Sequence, residues 1–476
     1  MRVVGLTLTL LVLTAAFALA ADNDKPKNEK PNIVYFLADD LGWADVGWHG
    51  TEIKTPNLDK LAAQGVKFEQ FYVQPLCTQT RAAFLTGRYP SRYGLQTGVI
   101  IGNSYGLSLE ERTLPQALHD AGYYTVILGK WHLGSEKEYQ PLQRGFDYHY
   151  GFYSAAIDYY EHTNELGHDW YRNGQNVKEK GYSTDLIGDE AVKVIEKHDT
   201  SKPLFLYVPF NAVHFPYQEI PNKKLSDQYE NLHGQRKIYG GITSVLDDAV
   251  GRIYQALEKK GVLDNTLILF SSDNGGPTQP KQASGDENIS EPSNDRNFRA
   301  SQGMPGPADN GNLRAGKGTL YEGGVRVPAF AIWHGKIKPD TVSDQLIHIV
   351  DLYPTFLDIA GASLEQKLPL DGADFKDVLT ENKTKPRKEV LINAEVNRGA
   401  IRFGDWKIVI SNLDADNKEN AKTELFNVKD DPGETNDLSA SNSEKLKELQ
   451  ELYEKYASEA IPSLFRFRSR NSQTPR

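Results

Sequence analysis

The chain has 476 residues and a formal net charge of −10, from 54 Lys and Arg against 64 Asp and Glu, and it contains one cysteine, Cys77. That acidic balance excludes a surface built for polyanions over its whole extent, nucleic acid included, so an anionic ligand must find its positive charge in one pocket. A lone cysteine excludes an internal disulfide, and the length suffices for one large core with a smaller domain beside it.

Residues 1–20 read as an export signal: basic Arg2, the apolar run GLTLTLLVLTAAFAL and a small-x-small ending at Ala18-Leu19-Ala20. The run is too short to span a membrane, so an exported product, periplasmic or secreted, with no membrane span after signal removal is expected. Residues 21–30 form a polar arm, in which DNDKPKNEK offers nothing apolar to pack. Residues 32–38, NIVYFLA, are a continuous apolar run ending in Asp39-Asp40, the pattern of a parallel strand covered on both faces. Residues 55–65 read as an N-capped helix stopped by glycine. In QPLCTQTRAAFLTGRYPSRYGLQ, residues 74–96, a short helix begins at Cys77 and ends at Gly87. Cys77 then meets the free N–H groups of the helix start, and Arg81, one turn on, faces the same way.

Residues 113–121 predict another helix, and 123–128 a strand leading into GKWHLG, where Lys130 and His132, two apart in extended chain, would point to one side. A strand over 203–208 runs toward His214, a helix over 239–257 follows, and a strand over 265–272 ends in Asp273-Asn274. Carboxylates at the ends of parallel strands lie on the ligand-binding edge of an open sheet. Three carboxylates and an amide favour a hard cation, Ca²⁺ or Mg²⁺, over zinc. Residues 277–312 have loop composition with no period, and Lys317 follows in RAGKGTLYEGGVRVP, which is not a Walker A motif. A helix over 350–360 and a polar boundary at 381–388 come next. Alternating stretches at 390–393, 399–403, 406–411 and 423–427 then predict antiparallel strands, before a charged helix over 443–457. The expected class is α/β: a large mostly parallel sheet sandwiched by helices, with a smaller C-terminal antiparallel sheet plus helix.

The run C-T-Q-T-R with LTGRYPSRYGLQ resembles the signature of the type I sulfatases of the alkaline-phosphatase superfamily, in which the cysteine of Cys-x-Pro-x-Arg is oxidised to formylglycine by a maturation enzyme. YVQPLC and TGRY…GLQ look particularly like the arylsulfatase B (N-acetylgalactosamine-4-sulfatase) branch. The resemblance implies a sulfuric ester hydrolase acting on a sulfated polysaccharide or oligosaccharide of galactosamine- or galactose-sulfate type. Its catalytic domain would span 31–380 and its small C-terminal α/β subdomain 388–465, followed by a tail at 466–476. It implies one metal ion, Ca²⁺ or Mg²⁺, on Asp39, Asp40, Asp273, Asn274 and the converted Cys77. Arg81, Lys130, His132, His214 and Lys317 would hold the sulfate, with His214 as proton donor to the leaving group and His132 as base. Tyr160, His162, Trp170 and Arg314 are expected sugar contacts, since aromatic faces and Arg suit anionic glycans. Gln79 departs from the pattern, standing where the family has proline or alanine, so weaker reading of Cys77 by the maturation enzyme is expected. Two other readings stay open: a phosphatase or phosphodiesterase of the same superfamily, for which Asp158 and His162 supply a D-x-x-x-H spacing, and an unconverted glycan-binding protein without catalysis.

Overall fold

The structure, a computed structural model, describes residues 30–99, 102–278, 306–381, 383–384, 387–395, 398–411 and 422–464. The export signal, the arm before residue 30, residues 279–305 of the expected loop and the tail lie outside the described residues. Among those described, no helix is long and apolar enough to cross a membrane.

The apolar run at 32–38 forms the strand Asn32–Ala38, and every one of its residues is buried because both faces are covered. Ile33, Tyr35 and Leu37 enter one core, Val34, Phe36 and Ala38 the other, as a period of two requires. It lies centrally in a ten-stranded sheet, between Thr266–Ser272 and Leu204–Pro209, parallel to both. Tyr124–Lys130 and Tyr148–Phe152 continue the parallel set, while Ala329–Ile332 begins an antiparallel flank. The pairing of Ala38 with Ser272 brings the next residues, Asp39 and Asp273, to the same sheet edge. The first core takes in the helices Cys77–Thr86, Leu114–Asp120 and Leu352–Ile359, and the second takes in Pro56–Ala62, Ser183–Lys197 and Gly234–Lys260.

Three local expectations change. The helix expected at 239–257 extends over Gly234–Lys260, closing on Gly261 in the left-handed region. Thr55 does not cap its helix: its hydroxyl accepts the Gly47 N–H and donates to Asp59, and the Asp247 carboxylate from the long helix caps Asn57 and Leu58 instead. The strand carrying Lys130 stops there, and His132 sits at φ +58°, so the two do not share an extended run.

The C-terminal sheet contains Glu389–Glu395, Arg398–Phe403, Trp406–Ser411 and Lys422–Asn427, antiparallel throughout. Leu391, Ile401, Ile408 and Leu425 pack on Leu449 and Tyr453 of the helix Ser443–Ser458, and the alternate residues pack on Tyr72, Leu320 and Val325 of the larger unit.

Candidate active site

Four parallel strand ends and one helix start converge on a buried cluster of charge. Asp39 and Asp40 follow one strand, Asp273 and Asn274 its neighbour, His214 the loop after a third, and Lys130 ends the fourth. Cys77 opens its helix, which stops at Gly87 with φ +66°, and Arg81 lies one turn in. All of these side chains are buried. Lys130 Nζ sits 2.6 Å from Asp39 Oδ2, Arg81 grips Asp273 Oδ2 through Nε and Nη2 at 3.2 and 2.7 Å, and Lys317 Nζ lies 2.7 Å from Asp40 Oδ1. Asn274 Nδ2 donates to Asp40 Oδ1 at 2.8 Å, which turns the amide oxygen inward.

The donor set fits a hard cation. Asp39 Oδ1 and Asn274 Oδ1 are buried with no hydrogen-bond partner, a costly state for polar oxygens. Among the described residues, the groups with metal-ligating geometry are Asp39–Cys77–Asp273 and Asp39–Asp40–His214, both here. Three carboxylates already balance Arg81, Lys130 and Lys317, so a divalent ion held here would supply the surplus positive charge that an anionic ester needs. Burial, and then the Asp39 charge, pushes Asp273 up to about 6, the crowding that a cation relieves. Burial would raise Asp40 too, but Lys317 and His214 outweigh it and bring it to about 2.

The two histidines differ in tautomer. His132 Nε2 lies 3.0 Å from the Val99 carbonyl, which can only accept, so that nitrogen carries the proton and also meets Thr78 Oγ1 at 3.1 Å. Nδ1 is left as a lone pair 3.3 Å from Cys77 Sγ. Burial, reinforced by Lys130 and Arg81, holds His132 well below the usual range and keeps that lone pair free. In His214, Nδ1 lies 2.8 Å from the Phe215 carbonyl and holds the proton, so Nε2, 3.6 Å from Asp40, bears the lone pair. Burial and Lys317 bring His214 down to about 3, and burial pushes the Cys77 thiol up.

Several contributors carried no sequence signal of their own. Asn310 accepts from Trp43 and Gly276 and donates to the Gly276 and Ala315 carbonyls, fixing the turn before Lys317. The Tyr159 hydroxyl holds the carbonyls of Asn211 and His214. Gln74 ties the approach to Cys77 to Leu391 and Asn393 of the C-terminal sheet. Thr78 stood inside the C-T-Q-T-R run, and a polar helix start was the one hint that it would hold a partner.

The expected sugar contacts separate. His162 and Trp170 are wholly buried and stacked on each other at 4.5 Å, so as core residues they cannot meet a soluble sugar. The aromatic faces that suit a glycan are here turned on each other inside the core. Tyr160 is 37 % exposed, with its hydroxyl on the Glu219 carbonyl. Arg314 lies 3.8 Å over the Tyr321 ring and lines a cleft of about 810 Å³ with His233, Arg236, Asn312 and Thr435, beside the Lys317 turn. Asp158 caps its own turn through the Tyr160 and Glu161 N–H groups and takes Gln218, while His162 binds the Gly181 carbonyl, so the D-x-x-x-H spacing assembles no second metal pair.

Comparison with known proteins matches residues 31–362 to the family described as Sulfatase and residues 315–459 to "N-sulphoglucosamine sulphohydrolase, C-terminal". Mouse (Mus musculus) arylsulfatase J is 34 % identical, covering 91 % of this chain and 77 % of its own. Mouse N-acetylgalactosamine-6-sulfatase is 36 % identical over 77 % of this chain and 68 % of its own. Among solved structures, Ps i-CgsB superposes with a TM-score of 0.80 at 32 % identity, covering 92 % of this chain and 95 % of its own, and was also solved in complex with k-i-k-neocarrahexaose. Matched across both its large sheet and its C-terminal unit, the chain belongs to the sulfatase family of sulfuric ester hydrolases.

Proposed function

We propose that this protein is an exported sulfatase that removes sulfate from a polysaccharide or oligosaccharide of the galactosamine- or galactose-sulfate type, using a hydrated formylglycine formed from Cys77 by a maturation enzyme. Residues 31–380 would carry the chemistry and 388–465 the C-terminal subdomain. The observation that carries the reading is the His132 lone pair aimed at residue 77 inside a cage of buried cations. The substrate class is supported by two relatives: one is named an N-acetylgalactosamine-6-sulfatase, and the other was solved with a neocarrahexaose.

The Cys77 sulfur stands in the place of a hydrate oxygen. Asp39, Asp40, Asp273, Asn274 and that oxygen would hold Ca²⁺, whose charge draws the sulfate oxygens and favours the ionised hydrate. One hydrate oxygen, its proton already lost to solvent, attacks sulfur as the alkoxide, the ester O–S bond breaks, and the leaving oxygen departs as the alcohol with a proton taken from the Asp40 side of the site. Lys130, Lys317 and Arg81 spread the charge that develops on the anion. On the Asp40 side stand His214 and Lys317, whose ammonium is bound to both Asp40 oxygens and kept protonated by that charge. We give the donor role to His214, whose Nε2 would take up a proton when the anionic ester arrives, and the anion contact to Lys317. His132 Nδ1 then takes the proton of the second hydroxyl, the aldehyde C=O reforms, sulfate departs, and water restores the hydrate.

The test is a screen of the purified full chain on defined sulfated oligosaccharides, reading free sulfate. Release from galactose- or galactosamine-sulfate units is expected. Release of phosphate, but not sulfate, from matched esters would refute the proposal.

A further inference from the structure

A second cluster of cations lies far from the reaction. Tyr124 begins the strand Tyr124–Lys130 and Tyr148 begins the strand beside it, so both stand at the sheet edge opposite the site. They wall a cleft of about 400 Å³ whose other side is the end of the helix Ser183–Lys197 and the turn beyond it, with Lys193, Lys197, His198 and Lys202. The strand from Tyr124 to Lys130 is roughly 20 Å long at about 3.3 Å per residue. One sugar unit therefore cannot occupy both places.

The acids of the cleft are already engaged. Glu190 accepts the Tyr148 hydroxyl at 2.6 Å and the Arg172 guanidinium at 2.5 Å, with Lys193 a loose 3.7 Å away. Asp199 accepts the Ser201 N–H at 3.1 Å. Among the described residues, Lys197 and Lys202 have no carboxylate at ion-pair distance. The His198 ring stacks on Tyr124, with centroids 5.9 Å apart and planes 18° apart, and its Nε2 lies 2.9 Å from the Lys202 carbonyl, so the aromatic wall is braced. Lys260 of the long helix, which donates to the Glu196 carbonyl, adds to the same basic face.

In a chain of net charge −10, Lys197 and Lys202 set ammonium groups beside the two tyrosines of a single cleft. Aromatic faces meet the apolar face of a pyranose, and ammonium groups meet its sulfate. We propose that this cleft is a second, non-catalytic site that binds one sulfated sugar unit of a polysaccharide and keeps the rest of that chain near the active site. It rests on the sulfated polysaccharide named above as substrate. Tethering raises the local concentration of further units without any new contact at the reacting bond.

The test compares the parent with a Lys197→Glu/Lys202→Glu double variant and with Tyr124→Ala, all as full chains. Affinity electrophoresis through a sulfated galactan, and through the same galactan desulfated, reads binding without turnover. Retardation of the parent by the sulfated polymer alone, lost in the double variant and weakened in Tyr124→Ala, is expected. Turnover of a small aryl sulfate should stay within about twofold, while the apparent KM for the sulfated polymer rises at least about fivefold in the double variant. Equal retardation of parent and double variant, equal retardation by the desulfated polymer, or no retardation of the parent would overturn the second site. Failure of the substrate reading shows separately, as absence of sulfate release by the parent from every polymer, and leaves the electrophoretic comparison decisive.

Discussion

Replacing Gln79 by proline separates two roles of the residue that departs from the family pattern. In the structure its side chain is buried; Oε1 accepts the Leu76 N–H at 3.1 Å, and Nε2 donates to the Gln96 carbonyl. It thus joins the residue before Cys77, the first turn of the helix and the loop beyond Gly87. As the third helical residue, Gln79 has a backbone N–H without an intrahelical acceptor, so the missing donor of proline breaks no helix bond. The loss is in the side chain: two polar groups lose their partner at about 1–3 kcal/mol each. A stiffer unfolded chain returns about 0.4–1 kcal/mol. The net expectation is destabilisation by about 1–6 kcal/mol, read as a lower urea midpoint at unchanged m-value. In a foreign host, peptide mass spectrometry around residue 77 should show a larger formylglycine fraction, because proline stiffens the segment that the maturation enzyme reads. An unchanged midpoint would refute the anchoring argument, and an unchanged converted fraction would refute the idea that Gln79 limits recognition.

Asp273→Ala should abolish sulfate release and lower bound metal while the protein still folds, because Arg81 loses the carboxylate it grips and the cation loses a ligand; full activity after stoichiometric metal loss contradicts the assigned ligands. Lys317→Ala and His214→Ala should each slow turnover by about two orders of magnitude or more, roughly 3 kcal/mol apiece, and parent-like rates in either would remove that residue from the site. Stability should carry a pH signature from the C-terminal unit, where Lys407 sits 2.9 Å from both Glu322 and Glu434, all buried. Burial, opposed by Lys407 and reinforced by Glu322, raises Glu434 to about 7. A carboxyl raised in the folded state stays protonated there longer, so its contribution is complete below its ordinary value and is lost as pH rises through about 7. Between pH 5 and 8 the parent should therefore lose more stability than Glu434→Gln in thermal unfolding, and parallel profiles would contradict this.

The two strands that carry the carboxylates were legible because each is a dense apolar run ending abruptly in charge. Asn32–Ala38 is buried on both faces, as its unbroken hydrophobicity implied, and Asp39-Asp40 fall where the run stops. Gly87 marked the end of the Cys77 helix because a left-handed stop favours glycine. His132 was misread for the same kind of reason: no glycine or asparagine flagged its positive φ, so extended chain was assumed through a position that turns. Composition could not tell that His162 and Trp170 stack inside the core, since an aromatic beside polar neighbours reads alike in either place. Nor could it see Gln74 and Asn310, whose value lies in carbonyls and N–H groups brought from distant segments.

The central claim is that residue 77 works as an aldehyde hydrate beside the His132 lone pair. Intact-peptide mass spectrometry of residue 77, on the same preparation from the native host whose sulfate release has been measured, tests it most directly. The account predicts the formylglycine mass, with activity rising in proportion to the converted fraction. An unmodified Cys77 thiol in fully active protein would contradict it.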